Sequence, residues 1–178
     1  MRLMPRVALV FAASVLAFPA LSAQTSFSIA AGATVPVGDA GDAMKMGYNL
    51  TAGLGIKAPL APIGLRIEGM FSQMDWKNSP QGNTTILAGI ANATVSMMPT
   101  TYFIGGLGLY NMRAGDLPAG FTSDPVTKFG INVGAGLNIP LTGFGTFVEA
   151  RLHYIMTKDD ASGAKNTTLI PISFGIRF

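Results

Sequence analysis

The 178-residue chain contains no cysteine, one histidine and one tryptophan, and only 12% of its residues are charged. Without Cys there is no disulfide framework, no thiolate metal site and no thiol nucleophile. With His153 alone, an imidazole-based metal site lacks a second ligand of its kind. The charged fraction is well below the usual quarter, yet 49% of residues are apolar, too many for a disordered chain. Beyond residue 23 no run of 18 apolar residues occurs, so that part of the sequence holds no helix-type membrane span. What is abundant is glycine, 22 residues spread along the chain, together with a mean hydropathy of +0.41.

Residues 1–23 read as a secretory signal peptide and 24–178 as one domain. Arg2 and Arg6 supply the basic start, 7–18 is apolar apart from Ser14, Pro19 breaks the run, and Leu21-Ser22-Ala23 offers a small residue for cleavage. The apolar run, about 12 residues, is too short to cross a bilayer core of roughly 30 Å as a helix. Losing its two arginines takes Lys+Arg from 12 to 10 against 9 acids, so the net charge falls from +3 to +1. The pI of 9.4 therefore belongs largely to the leader, and a nucleic-acid partner is not expected.

The remainder alternates with period two. In 64–73, Leu65, Ile67 and Phe71 share one face while Arg66, Glu68 and Ser72 share the other. In 143–156, Val148, Ala150, Leu152 and Tyr154 oppose Glu149, Arg151 and His153. In 168–178, Ile170, Ile172, Phe174, Ile176 and Phe178 oppose Ser173, Gly175 and Arg177. Segments 48–56 and 129–137 follow the same rule, and 26–37, 84–97 and 101–112 follow it less cleanly. For 84–97, the outward set is taken as Ala91, Ala93, Val95 and Met97, which turns Asn92, Thr94 and Ser96 inward. Eight strands result. The connections alternate between short (58–63, 98–100, 140–142) and long, and all seven aspartates fall in the four long ones. This is an up-and-down meander.

Alternation alone does not say which face meets solvent. A soluble barrel buries its apolar face, whereas a membrane barrel turns that face to lipid. The polar face here is rich in Gly, Ser, Thr and Asn and poor in Lys and Glu, unlike a water-exposed sheet. Aromatics also cluster at strand ends on the apolar face: Phe27, Phe103, Phe144 and Phe178 toward the short turns, and Tyr48, Phe71, Phe129 and Tyr154 toward the long loops. Two such girdles mark two membrane–water interfaces. The expected fold is all-β, an eight-stranded antiparallel up-and-down transmembrane β-barrel.

The leader, the eight alternating strands and the closing Ile172-Ser173-Phe174-Gly175-Ile176-Arg177-Phe178 resemble the small bacterial outer-membrane β-barrels of the OmpA/OmpX-like superfamily. The resemblance covers essentially all of 24–178. It implies residence in the outer membrane as a monomer, contact with lipid and lipopolysaccharide, and delivery by the outer-membrane assembly machinery, with Phe178 as the C-terminal signal for that machinery. The peptidoglycan-binding domain of larger members is not expected to follow, and no cofactor is implied.

Inside such a barrel, Arg66, Glu68, Glu149, Arg151, His153 and Arg177 point at the lumen, with Lys57 and Lys128 near the rims. The third and seventh strands of eight face each other, so Arg66/Glu68 and Glu149/Arg151 are expected to meet as a charged network, with inward glycines leaving room for them. That network either neutralises a packed lumen or gates a narrow ion path. No Ser-His-acid constellation is visible around His153, so a lipid-modifying enzyme is the least supported reading. Asp159-Asp160 reads as a solvated loop tip, Trp76 as an interface anchor, and Phe121 in loop 113–126 as a surface contact. The expected role is structural and non-catalytic: a scaffold presenting four loops, with a narrow passive pore as the alternative.

Overall fold

The computed structural model describes residues 24–57, 62–78, 82–115, 124–141, 144–157 and 165–178. The proposed leader, Phe121 and the Asp159-Asp160 pair lie outside the described residues. Eight strands follow one another: β1 Gln24–Val37, β2 Gly47–Lys57, β3 Ile63–Asp75, β4 Asn83–Ser96, β5 Thr101–Gly115, β6 Val126–Leu141, β7 Phe144–Ile155 and β8 Thr167–Arg177. Each pairs antiparallel with the next, and β1 pairs with β8 to close the barrel. Closure leaves no edge strand, so the described strands find their backbone partners within the wall.

The register fixes the stagger of the barrel. Stepping across partners from Ser26 leads through Gly55, Arg66, Asn92, Gly106, Asn132, His153 and Leu169 to Pro36. The walk returns to β1 ten residues further on (36 − 26), which is the shear that tilts the strands. The β7–β8 ladder skips Pro171: its pairs stop at Ala150↔Ile172 and resume at His153↔Leu169 in unchanged register. A proline has no N–H to offer a partner strand.

The apolar face is the outer one. Ile67 is 69% exposed while its neighbour Arg66 is 5% exposed, and Leu54, Leu65, Leu107 and Val133 are likewise open. Along β4, Ala91, Ala93 and Val95 face out and Asn92 faces in, as the alternation predicts. Such a wall is stable only where its surroundings are apolar too.

Three features depart from the sequence reading. Five strands run further than the alternation suggests, β6 most of all, because edge residues such as Val126 and Thr127 still find partners in Met112 and Asn111, whereas β7 is shorter than the 143–156 reading. The first long connection contains a short helix, α1 (Asp39–Ala43), entered through Gly38 at φ 61°, a conformation that glycine adopts without steric cost. The interior is not polar throughout: toward the long loops it is filled by Met70, Met74, Ile86, Ile90, Ile155 and Leu169. There the alternation is masked, since Ile86-Leu87-Ala88 and Tyr154-Ile155-Met156 are apolar on both faces.

Candidate functional site

The barrel interior is layered. At mid-height, β3 contributes Arg66 and Glu68, and β7, across the lumen, contributes Glu149 and Arg151. Arg66 Nη2 donates to both carboxylate oxygens of Glu149 at 2.8 and 2.6 Å, and Arg151 Nη1 donates to Glu68 Oε2 at 2.6 Å. Within each strand the partners also touch, Arg66 Nε lying 3.1 Å from Glu68 Oε1 and Arg151 Nε 2.9 Å from Glu149 Oε1. The four groups form a closed ring of alternating sign, each 5% exposed or less.

Neutral donors complete the ring. Asn92 Nδ2 donates to Glu68 Oε2 at 2.5 Å and is itself held by Asn132 Nδ2 on its Oδ1 at 2.9 Å. Tyr102 Oη donates to Glu149 Oε2 at 2.6 Å. Buried ions are tolerable when their remaining lone pairs are satisfied in this way. Glycines on β6 make room: a Cβ on Gly134 would stand 2.7 Å from Arg151 Cγ, and one on Gly136 2.2 Å from Tyr102 Cζ.

His153 and Arg177, which the sequence reading groups with this network, stand apart from it. His153, fully buried, shares a 2.8 Å hydrogen bond between its Nδ1 and Tyr110 Oη, with the two rings edge to face. Arg177 lies below the ring toward the short turns, its guanidinium 5.1 Å from the centroid of Phe147 and 5.8 Å from that of Tyr102. Cation–π contact and a 3.3 Å bond to Asn138 Oδ1 replace the expected carboxylate. A separate cluster that sequence reasoning missed links four strands: Asn49 donates to Thr34 Oγ1, Ser72 donates to Thr34 Oγ1, and Ser173 donates to Asn49 Oδ1.

Above the ring, the apolar plug is capped by α1 and the residue after it, Ala40 and Met44 being buried against it. Trp76 also packs on this plug, and its indole Nε1 donates to Thr84 Oγ1 at 2.8 Å. The sequence reading has it as an interface anchor; the structure packs it inward, on the plug at the barrel mouth. Lys77 Nζ donates to Gly41 O, and Lys165 Nζ pairs with Asp39 Oδ1 at 2.6 Å. That hydrogen bond and charge raise the Lys165 pKa above its ordinary value.

On the outer face, Phe27 stacks on Phe178 with centroids 6.3 Å apart, and Phe103 lies exposed on the same rim of the barrel. At the other rim Tyr48 packs on Phe71 at 6.0 Å, Phe129 is exposed, and Tyr154 Oη accepts from Asn166 Nδ2. Phe144 opens β7, and of it the strand position alone is described.

No protein-family model matches the sequence, and no curated protein matches it. Among solved structures, the chain is similar to Ail, the attachment invasion locus protein of Yersinia pestis, in complex with the heparin analogue sucrose octasulfate. The TM-score is 0.60 at 17% identity, over 88% of this chain and 99% of that one. It is also similar to Neisserial surface protein A, with a TM-score of 0.57 at 18% identity, over 86% of this chain and 94% of that one. The fold is that of the small eight-stranded outer-membrane β-barrels.

Proposed function

We propose that this protein is an outer-membrane β-barrel with a closed interior, whose work is to present its four long connections at one membrane surface. The apolar belt between two aromatic rims supports the membrane location, and residues 1–23 supply the export signal. Lipid, with lipopolysaccharide at the long-loop rim, is the proposed surrounding, and the outer-membrane assembly machinery the proposed route into it. The barrel acts as a monomer and without catalysis. His153, its sole imidazole, is fully buried and hydrogen-bonded to Tyr110, away from any substrate path.

The observation that carries the reading is the stacking of an ion-pair ring beneath an apolar plug and a helical cap. A gated pore needs a continuous polar path, and the apolar plug interrupts it. An ion entering from the long-loop side would first have to displace Met74, Ile86 and Leu169. Planar-bilayer recording of the purified barrel tests this: the expected record is flat. Reproducible unitary conductance that is lost in Arg151→Ala would establish the pore reading instead.

A further inference from the structure

Below the ion-pair ring, at the short-turn end, the lumen widens into a vestibule of about 350 Å³. That is roughly ten times the ~30 Å³ that one water occupies in the liquid. Lys57, Arg66 and Arg177 line it, with Ser26, Ser96 and Tyr102 between them, and no carboxylate is among the lining residues. The charged side chains that line it are all cations. The ring above contains two arginines and two glutamates and is neutral by itself. Among the described residues, neither Lys57 nor Arg177 forms an ion pair: Lys57 Nζ donates to Ser96 Oγ at 3.2 Å, and Arg177 contacts Asn138 and two aromatic rings. Glu149 of the ring is already bonded to both Arg66 and Tyr102.

Arg66 stands at the inner wall of the vestibule. Arg66 spends Nη2 on Glu149 and turns Nε toward Glu68, while its Nη1 is buried with no hydrogen-bond partner. With Lys57 and Arg177 it gives the cavity a cationic lining, and the group such a lining fits is an anionic oxygen.

We propose that this vestibule binds a small soluble oxyanion of the phosphate class, held by Arg177 and Lys57 with the Arg66 side chain at its inner wall. The barrel wall separates the vestibule from lipid, so its occupant enters from solution through the short-turn mouth and not from the headgroup layer. Arginine guanidinium presents paired N–H groups to tetrahedral oxyanions, and lysine adds a mobile point charge at the entrance. This site lies at the opposite end of the barrel from the long loops and is independent of the role proposed for them.

The test is titration of the folded barrel in a maltoside detergent, which carries no phosphate, with inorganic phosphate, following the arginine Nε–H resonances by NMR. Saturable shifts of Arg66 and Arg177 are expected, and Lys57→Gln combined with Arg177→Gln should weaken the affinity at least tenfold. Lys165→Gln, at the far rim, should leave it unchanged. Both vestibule substitutions lie outside the ion-pair ring, and the boiling-dependent shift on electrophoresis checks that the double variant has folded. Absence of saturable shifts overturns the proposal, as does an affinity indifferent to the double substitution. Shifts that require phosphatidylglycerol and do not occur with phosphate overturn it too, because they assign the site to lipid.

Discussion

Arg66 and Ile67 are adjacent in sequence and opposite in environment, and the contrast between them sets what a single residue can do here. Arg66→Ala removes one cation from a closed ring and leaves Glu149 buried with one arginine fewer. Breaking a buried pair from one side costs about 3–5 kcal/mol, more than the pair itself contributes. We expect the urea midpoint of Arg66→Ala in detergent to fall accordingly, and an unchanged midpoint would mean that the ring bears no strain. Ile67→Arg tests the other face. A cation in the middle of a lipid-facing wall costs roughly 2–4 kcal/mol, and the same substitution in a soluble barrel would be close to neutral. Unfolding titrations of the variant in lipid vesicles distinguish these outcomes. The opposition of Arg66/Glu68 to Glu149/Arg151 was legible before any coordinates, because i, i+2 spacing puts each pair on one face and eight strands put the third opposite the seventh. The side roles of His153 and Arg177 were not legible. Their partners, Tyr110, Tyr102 and Phe147, are aromatic, and alternation assigns a face but does not choose between carboxylate and ring as neighbour.

At the scale of the element, strands announced themselves and the helix did not. Period-two segments such as 129–137 leave no ambiguity, whereas α1 is a five-residue turn of Asp, Ala and Gly with no helical periodicity to detect. Its position depends on tertiary partners: Ala40 and Met44 in the plug, Lys77 on Gly41 O, and Lys165 on Asp39. The last of these makes the cap sensitive to alkali. Because the Lys165 pKa is raised in the folded protein, its contribution is complete at and below the ordinary lysine value of 10.5 and is lost as pH rises through the raised one. The signal to follow is Trp76, the sole tryptophan, which packs on the same plug. Its fluorescence should change in a step above the ordinary lysine range, and Lys165→Gln should remove that step. A step that persists in the variant would place the alkaline event elsewhere. Because the pair is exposed, high salt should weaken it as well.

For the molecule as a whole, the closed wall implies resistance to detergent. With every strand paired on both sides, sodium dodecyl sulfate finds no edge at which to begin, so the unboiled protein should migrate differently from the boiled one on electrophoresis. Identical mobility would argue against a barrel of this type. The inversion of the wall, apolar outside and polar within, could be read from the sequence through the girdle positions and the scarcity of charge on the polar face. The apolar plug could not, because where both faces of a strand are apolar the alternation that reveals orientation disappears.

The ion-pair ring has a mechanical meaning beyond charge. β3 and β7 share no edge, and a cylinder of hydrogen-bonded strands resists shear along its wall better than flattening across its diameter. Arg66 reaching Glu149, and Arg151 reaching Glu68, run along that diameter like spokes in a hoop. A barrel braced in this way keeps a round section under uneven lateral pressure from the bilayer. Its rim then holds the mouth at fixed spacing.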